Sequence, residues 1–172
     1  IKTGKLFRTL QVRKESINTE ERTVELSFSS ETPVMRYWGN EILDHGPRSM
    51  RLARVKAGGP FLMDHNPGDH RGVIEEVSID GRRGVARVRF SRSVRGEELF
   101  NDIQDGIRPN ISVGYIIHKM RLENEQDGVK TYRATDWEPL EISSVSIPAD
   151  ISVGVGRSED RNFAHETVLE PN

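Results

Sequence analysis

The segment spanning residues 73–90 most constrains the fold of this chain, because both strands and the turn of a β-hairpin can be read from it. Residues 73–79 and 85–90 are rich in valine, isoleucine and other strand-forming residues, and they flank the sequence Asp80-Gly81-Arg82-Arg83-Gly84. An Asp-Gly pair between such runs favours a tight turn, because glycine readily adopts the positive φ that hairpin turns need. We therefore predict a β-hairpin here.

Further strands are predicted on both sides of the hairpin. Apolar residues occupy alternate positions in residues 6–12 and 23–28, which is typical of strands with one buried face. Residues 111–117 form a mostly apolar run, as expected for a buried strand, and residues 140–147 form a last strand that ends before Pro148.

Helical patterns are few and short. Ser93 can cap a helix whose apolar residues recur at helical spacing as far as Gly106, and glycine is common where helices end. A shorter helix is predicted between Ser49 and Gly58, whereas residues 29–46 are predicted to be irregular. The sequence thus predicts an α+β, mainly β fold with a few helices.

The composition of the chain limits which partners and which cellular compartment are expected. The chain has a formal net charge of −2 and no cysteine. Its basic and acidic residues are interspersed, so we expect no nucleic-acid partner, and no apolar run approaches the roughly 20 residues of a membrane-spanning helix. No signal-peptide core is visible, and we expect no membrane partner. The lack of cysteine excludes disulfides, thiolate catalysis and cysteine zinc sites, and it fits a cytosolic compartment.

Length favours one domain. The 172 residues can bury one substantial core, and the last part of the chain is polar with little periodicity. We predict one folded domain over residues 1–157 and a polar, flexible tail over residues 158–172. Because the chain begins at Ile1 rather than Met, we expect its N-terminus to be trimmed or the sequence to be part of a longer one.

A histidine and a serine are candidates for nucleophilic catalysis. His65 ends an apolar run before Pro67, and Ser112 interrupts the apolar strand two residues before Gly114. A serine hydroxyl needs an adjacent base to attack a carbonyl at neutral pH, and a buried hydroxyl without a partner costs about 1–3 kcal/mol. His65 could instead cap its loop, Ser112 could be a tolerated small residue, and Gly114 could mark a bulge or leave room for a substrate backbone.

Two other classes of function compete with a serine mechanism. His65, Asp69 and His70 could bind a divalent metal ion and support a metal-dependent hydrolase, although their loop lacks the helical spacing of the familiar zinc motif. A non-catalytic, β-rich assembly or binding module would also suit the strand pattern, because a fold alone does not assign a function. His45 and His118 read as surface residues.

Several segments, taken in order, resemble the caudovirus prohead protease family. They are residues 28–36, Leu62-Met63-Asp64-His65-Asn66, the hairpin, residues 106–115 and residues 140–150. The resemblance runs from about residue 5 to residue 157. It implies a herpesvirus-protease-like fold, with a small closed or partly closed β-barrel flanked by a few helices.

The resemblance also implies an activity and a site. It implies a serine endopeptidase that cleaves the phage scaffold or major capsid precursor during prohead maturation, with His65 as general base and Ser112 as nucleophile. Glu141 is the best candidate for the third residue, with Glu138 and Asp136 nearby, although its alternation with Leu140 and Ile142 would suit a solvated strand face. Oxyanion donors are expected between residues 148 and 157.

The remaining expectations concern the setting of the reaction. The substrate and partner would be the capsid or scaffold precursor, and we expect self-association of the protease as well. The resemblance places the protein in the host cytoplasm, inside the immature capsid. No cofactor or metal is expected, and added EDTA should leave the rate unchanged.

Overall fold

In the computed structural model, the described residues are 1–11, 16–147 and 159–171, and they form a mainly β structure with two short helices. The elements in chain order are β1 (Lys2–Gln11), β2 (Ile17–Asn18), β3 (Thr23–Ser30), β4 (Val34–Arg36), β5 (Gly39–Leu43), α1 (Ala53–Lys56), β6 (Pro60–Met63), β7 (Asn66–Asp80), β8 (Arg83–Phe90), α2 (Val94–Gln104), β9 (Asn110–Gln126), β10 (Val129–Ser144), β11 (Glu159–Glu166) and β12 (Val168–Glu170). Across these described ranges, neither helix has the length and apolar character needed to cross a membrane.

The hairpin and helix α2 form where the local sequence predicts them. Strands β7 and β8 pair antiparallel up to Asp80 and Arg83, and Gly81 adopts a φ of +60° between them, which confirms the hairpin. The hydroxyl of Ser93 accepts a hydrogen bond from the backbone N–H of Gly96 at 3.1 Å and caps α2 as predicted.

All strands of the described residues belong to one twelve-stranded sheet. Its main path runs β11-β1-β9-β10-β6-β7-β8-β3-β2, while β12 pairs with β9, and β5 pairs with both β10 and β4. In the described part of the chain, the end strands β11 and β2 pair with β1 and β3 and not with each other. The predicted mainly β fold with few helices is therefore confirmed, but over the described residues the sheet is not closed into a barrel.

Two regions differ from the sequence prediction. Residues 29–46, predicted as irregular, contain β4 and β5, and β5 is held by parallel pairing with the distant β10. Residues 159–170, placed in the predicted flexible tail, form β11 and β12, which pair with β1 and β9. Both differences have one cause, because strands with weak local patterns are stabilised by partners far away in the sequence.

Helix α2 packs on the sheet and leads into β9. Its buried residues include Leu99, Phe100 and Ile103, and the Phe100 ring lies 5.3 Å from the ring of Phe90 on β8. Gly106 has a φ of +74°, the left-handed conformation that ends many helices. The chain then reverses into Asn110, so the packing of α2 sets the starting point of β9.

A buried charge cluster of Arg8, Arg36, Glu41 and Tyr115 supports β9 from the core side of the sheet. The Arg8 guanidinium contacts Glu41 Oε1 at 2.9 Å, Arg36 contacts Glu41 Oε2 at 3.2 Å, and Arg36 donates to the Tyr115 hydroxyl at 2.7 Å. Burial raises the pKa of Glu41, but the two guanidinium groups outweigh it and hold that pKa below its ordinary value. Burial also raises the pKa of Tyr115 to about 12.

Candidate active site

Ser112 lies on β9 between two neighbouring strands. Its Cα pairs in register with Thr9 on β1 and with Ser143 on β10, and its side chain is buried. Since side chains alternate between the faces of a strand, Ser112 shares its face with Gly114, whereas Val113 and Tyr115 belong to the core side. The hydroxyl thus belongs to the face opposite the buried charge cluster.

His65 is presented by a strained two-residue turn between β6 and β7. Asp64 and His65 have φ values of +48° and +61°, and Met63 pairs with Asn66 across them. Positive φ at both central residues is the type I′ hairpin geometry, which usually favours glycine or asparagine. Residues without glycine's freedom occupy such a conformation only where surrounding contacts hold it.

The end of β10 supplies those contacts. The backbone N–H of Asp64 donates to the Ser144 carbonyl at 2.8 Å, and the Asp64 carboxylate accepts from the Ser146 N–H at 2.9 Å. The N–H of His65 donates to the Ser143 hydroxyl oxygen at 3.2 Å. These bonds tie the turn that carries His65 to the strand that carries Glu141.

Ser112, His65 and Glu141 form one chain of hydrogen bonds. His65 Nε2 lies 2.8 Å from Ser112 Oγ, and His65 Nδ1 lies 2.6 Å from Glu141 Oε1. A neutral imidazole protonated at Nδ1 donates to the carboxylate and leaves Nε2 free to accept the serine proton. The structure therefore brings together all three residues that the sequence nominated.

Glu141 is buried, contrary to the solvated position that its alternation suggested. The pairing of β10 with β9 shifts in register between Pro139 and Glu141, so that Glu141 pairs with Gly114 and Ser143 pairs with Ser112. Because strand side chains alternate, a shift by one residue changes the face on which the following side chains lie. The shift places Glu141 on the face of Ser112.

The environment of Glu141 favours its ionised form. Its Oε1 lies 2.8 Å from Lys5 Nζ, and its Oε2 accepts from the Ser143 hydroxyl at 2.6 Å. Burial raises the pKa of Glu141, but the hydrogen bond and charge of His65 and the charge of Lys5 outweigh burial and lower the pKa below its ordinary value. The carboxylate can therefore orient the imidazole and stabilise its protonated form.

The two other acidic candidates have different partners. Asp136 pairs with Arg51, with Oδ1 2.6 Å from the guanidinium Nε. Glu138 contacts Arg54 and His118, each at 3.0 Å. Neither carboxylate is hydrogen-bonded to His65, which leaves Glu141 as the acid placed to orient it.

The alternative metal cluster is not assembled. His70 Nε2 lies 2.6 Å from the Gly72 carbonyl oxygen, and Asp69 is paired with Arg71 and Arg95. Over the described ranges, no group of three or more histidine, aspartate or glutamate side chains could together hold a metal ion. His65 instead contacts Ser112 and Glu141.

Three residues of the site were missed in the sequence. Lys5 contacts Glu141, Ser143 contacts both Glu141 and the His65 backbone, and the Phe7 ring lies 4.1 Å from the imidazole of His65. The alternation of β1 could have placed Lys5 and Phe7 on one face, but no local signal shows what that face contacts.

The structure bears on the alternatives for Gly114, which lies opposite a register shift of β10, and it contradicts the surface position predicted for His45. A Cβ at Gly114 would collide with Glu141 Oε1 and with Lys5 Cε, so the glycine leaves room for these side chains. His45, which read as a surface residue, is buried and bonded to Ser29 Oγ at 2.8 Å. The segment expected to supply oxyanion donors, residues 148–157, lies outside the described residues.

A serine, a histidine and a buried carboxylate in this order define the hydrogen-bonded triad of a serine hydrolase. The family model described as "Caudovirus prohead serine protease" matches residues 11–165, which is most of the chain. The chain belongs to this family of serine proteases.

Two individual proteins extend the comparison. The chain is 42% identical over 147 residues to the major capsid protein of Halomonas phage phiHAP-1, a match that covers 83% of this chain and 24% of that protein. It thus spans about a quarter of that relative's length. The solved structure of the bacteriophage T4 capsid assembly protease matches with a TM-score of 0.57 and 14% identity, over 84% of this chain and 98% of the other. That match shows a shared fold.

Proposed function

We propose that this chain is a serine endopeptidase that cleaves a capsid or scaffold precursor during prohead maturation, with Ser112 as nucleophile, His65 as general base and Glu141 as the orienting carboxylate. The observation that carries the proposal is the continuous chain of hydrogen bonds from Ser112 Oγ through His65 to Glu141. Membership of the prohead serine protease family supports the substrate class.

The geometry suggests a two-stage reaction. His65 Nε2 accepts the Ser112 proton as Oγ attacks the scissile carbonyl carbon, and the imidazolium then protonates the leaving amine. Water attacks the resulting ester, again with His65 as base, and frees the serine. Glu141 stabilises the imidazolium in both stages, and oxyanion donors are proposed within residues 148–157.

The family and the relatives suggest the setting. The relative that is a major capsid protein supports a capsid precursor as the substrate, and the likeness to a capsid assembly protease supports action during capsid assembly. We propose that cleavage takes place inside the immature capsid, in the host cytoplasm, and that the protease self-associates there.

We also propose that the sheet is a partly closed, herpesvirus-protease-like barrel flanked by helices. The order of strands around β9 and β10 supports this proposal. We propose that the catalytic unit extends beyond residue 157, since β11 and β12 pair with β1 and β9.

The test compares cleavage of a co-expressed capsid precursor by the wild type, Ser112→Ala, His65→Ala and the double variant. Each single change should abolish most cleavage, and the double variant should be hardly worse, because residues of one proton-transfer unit do not contribute additively. In a well-studied serine protease such losses reach about 10⁶ in kcat. Ser78→Ala, at an exposed position of β7, is the matched control and should cleave normally.

The rival functions give different results in the same assay. A metal-dependent hydrolase would lose activity with EDTA and keep it in Ser112→Ala. A non-catalytic assembly module would leave the precursor uncut in every sample, including the wild type. Either result would overturn the serine mechanism.

A further inference from the structure

Lys5 contacts the Glu141 carboxylate across β9, the strand that carries Ser112. It lies on β1, Glu141 lies on β10, and β9 runs between them. Lys5 Nζ is 2.8 Å from Glu141 Oε1, the same oxygen that lies 2.6 Å from His65 Nδ1. The two side chains are only 13% and 4% exposed, so this ion pair is largely removed from water.

Gly114 opens the path for this contact. Glu141 and Phe7 both pair in register with Gly114, and a Cβ at that position would collide with Glu141 Oε1 and Lys5 Cε. Because Gly114 has no side chain, Lys5 from β1 and Glu141 from β10 can contact each other across β9. The Lys5 ammonium also lies 5.2 Å from the centre of the Phe7 ring, and that ring lies 4.1 Å from the imidazole of His65.

The charges around Glu141 indicate what its contact with Lys5 contributes. A buried carboxylate is costly unless it is paired, and a general base needs an unprotonated nitrogen before it can accept the serine proton. Lys5 is a second basic side chain beside Glu141, and unlike His65 it takes no part in the proposed proton transfer. One oxygen of Glu141 contacts both.

Few other groups face this carboxylate. Ser143 of its own strand donates a hydroxyl, β9 contributes Ser112 and Gly114, which carry no charge, and the β6–β7 turn contributes His65. On β11, Asp160 pairs in register with Lys5. Among the described side chains, Lys5 is the lysine that forms an ion pair with Glu141.

We propose that Lys5 is a positioning residue of the reaction, which keeps Glu141 ionised and fixed in the orientation that holds His65. The inference rests on the proposed protease function. It extends the site to a fourth side chain, in the order Ser112, His65, Glu141 and Lys5. Lys5 acts only through Glu141 and does not touch the substrate.

The kinetic test replaces Lys5 by Met and by Gln, which both remove the charge, and by Arg, which retains it. We expect the neutral variants to lower kcat about ten- to a hundredfold with little change in KM, the loss found when a residue that orients a metal-binding side chain is replaced. Lys5→Arg should recover much of the loss. Lys2→Met, on the same strand with an exposed side chain, is the matched control and should match the wild type.

A double variant separates positioning from a general structural role. If Lys5 acts through Glu141, Lys5→Met should cause no further loss of kcat in the Glu141→Gln background. The acid limb of the rate profile should also move to higher pH in Lys5→Met, because removal of the cation raises the pKa of Glu141 and the carboxylate is then lost earlier on acidification. Additive losses with an unmoved acid limb would overturn the proposal.

A third measurement does not depend on activity. In inactive Ser112→Ala protein, ¹³C NMR of the glutamate carboxyl groups can follow the titration of Glu141 with and without Lys5→Met or Lys5→Gln. The proposal requires the Glu141 carboxyl to titrate at higher pH in both neutral variants, and an unchanged titration would refute it. If the wild type failed to cleave any capsid precursor, the protease function would fall, while this titration would still decide whether Lys5 keeps Glu141 ionised.

Discussion

At the scale of single residues, the site consists of hydrogen bonds between the side chains of Ser112, His65, Glu141 and Ser143. His65 uses both ring nitrogens, one toward Ser112 and one toward Glu141, and Ser143 holds the second oxygen of Glu141. The imidazole therefore has one orientation and one productive tautomer. The acids nearby in sequence, Asp136 and Glu138, take no part in this chain of bonds.

Three amide substitutions test the identity of the orienting acid. Glu141→Gln should preserve the fold and lower kcat by about 10⁴, the loss found when the aspartate of a model triad is replaced, because an amide favours the wrong tautomer. Glu138→Gln and Asp136→Asn should remain near wild type, since their carboxylates bind Arg54 and Arg51. All three are compared on one capsid-derived peptide, and a larger loss at either of the latter would reassign the role.

At the scale of elements, the β6–β7 turn is the most demanding part of the site. Two consecutive residues without glycine's freedom adopt left-handed backbone conformations, and the turn is tied to the end of β10 through Asp64. Arg108, which precedes β9, also contacts Asp64 Oδ1 at 3.2 Å and Ser144 Oγ at 3.0 Å. Asp64 thus joins the turn that carries His65, the segment before β9 and the end of β10.

Substitution of Asp64 should separate the strain of the turn from its side-chain contacts. Asp64→Ala removes the acceptor for Ser146 and Arg108 and places alanine at positive φ, so we expect a loss of about 1–3 kcal/mol in the free energy of unfolding and a lower kcat. Asp64→Asn keeps an acceptor oxygen and tolerates this φ, and it should stay close to wild type. Urea denaturation and peptide cleavage measure both effects, and equal losses in the two variants would contradict this account.

At the scale of the whole molecule, segments far apart in the sequence pair with β9 and β1. Thr167 is buried, donates to the Ile117 carbonyl at 2.7 Å and shares a hydrogen bond with Thr3 at 2.8 Å. Beneath β9, the buried charge cluster places one carboxylate between two guanidinium groups. Stability therefore depends on polar contacts between strands that are far apart in sequence.

The Thr167 contacts should be measurable in stability. Thr167→Val removes a buried hydroxyl and leaves the Thr3 hydroxyl without this partner, which should lower the free energy of unfolding by about 1–3 kcal/mol. Val168→Thr is the control, because it adds a hydroxyl at the exposed neighbouring position. Its free energy of unfolding should lie within about 0.5 kcal/mol of the wild-type value. Indistinguishable urea midpoints for the two variants would show that this junction adds little.

The charge cluster predicts how stability depends on pH. The folded-state pKa of Glu41 lies below the ordinary value of 4.5, so its contribution is fully present above that value and is lost as the pH falls through the folded-state pKa. Glu41→Gln leaves two buried guanidinium groups without their anion and should cost about 3–5 kcal/mol at neutral pH. The difference from wild type should shrink on acidification, and a difference independent of pH would contradict the assigned ionisation. Exposed Glu20→Gln is the control.

The sequence by itself determined the features that depend on neighbouring residues. Asp80-Gly81 defined the hairpin, Ser93 defined the start of α2, and the polar interruption of an apolar strand drew attention to Ser112. These signals are local, because turn conformations and helix caps depend on contacts within a few residues. His65 and Glu141 were named with the help of a family resemblance, and the structure brings both to Ser112.

Only the tertiary structure decided which side chains meet across strands. The register shift before Glu141, the contact of Lys5 with Glu141, the strands β11 and β12, and the burial of His45 all depend on pairings between distant segments. A register change of one residue exchanges the two faces of a strand while the local sequence stays the same. The hydrophobic pattern therefore indicated that a strand would form at residues 140–147, but the pairing of β10 with β9 determined that Glu141 would lie on the face of Ser112.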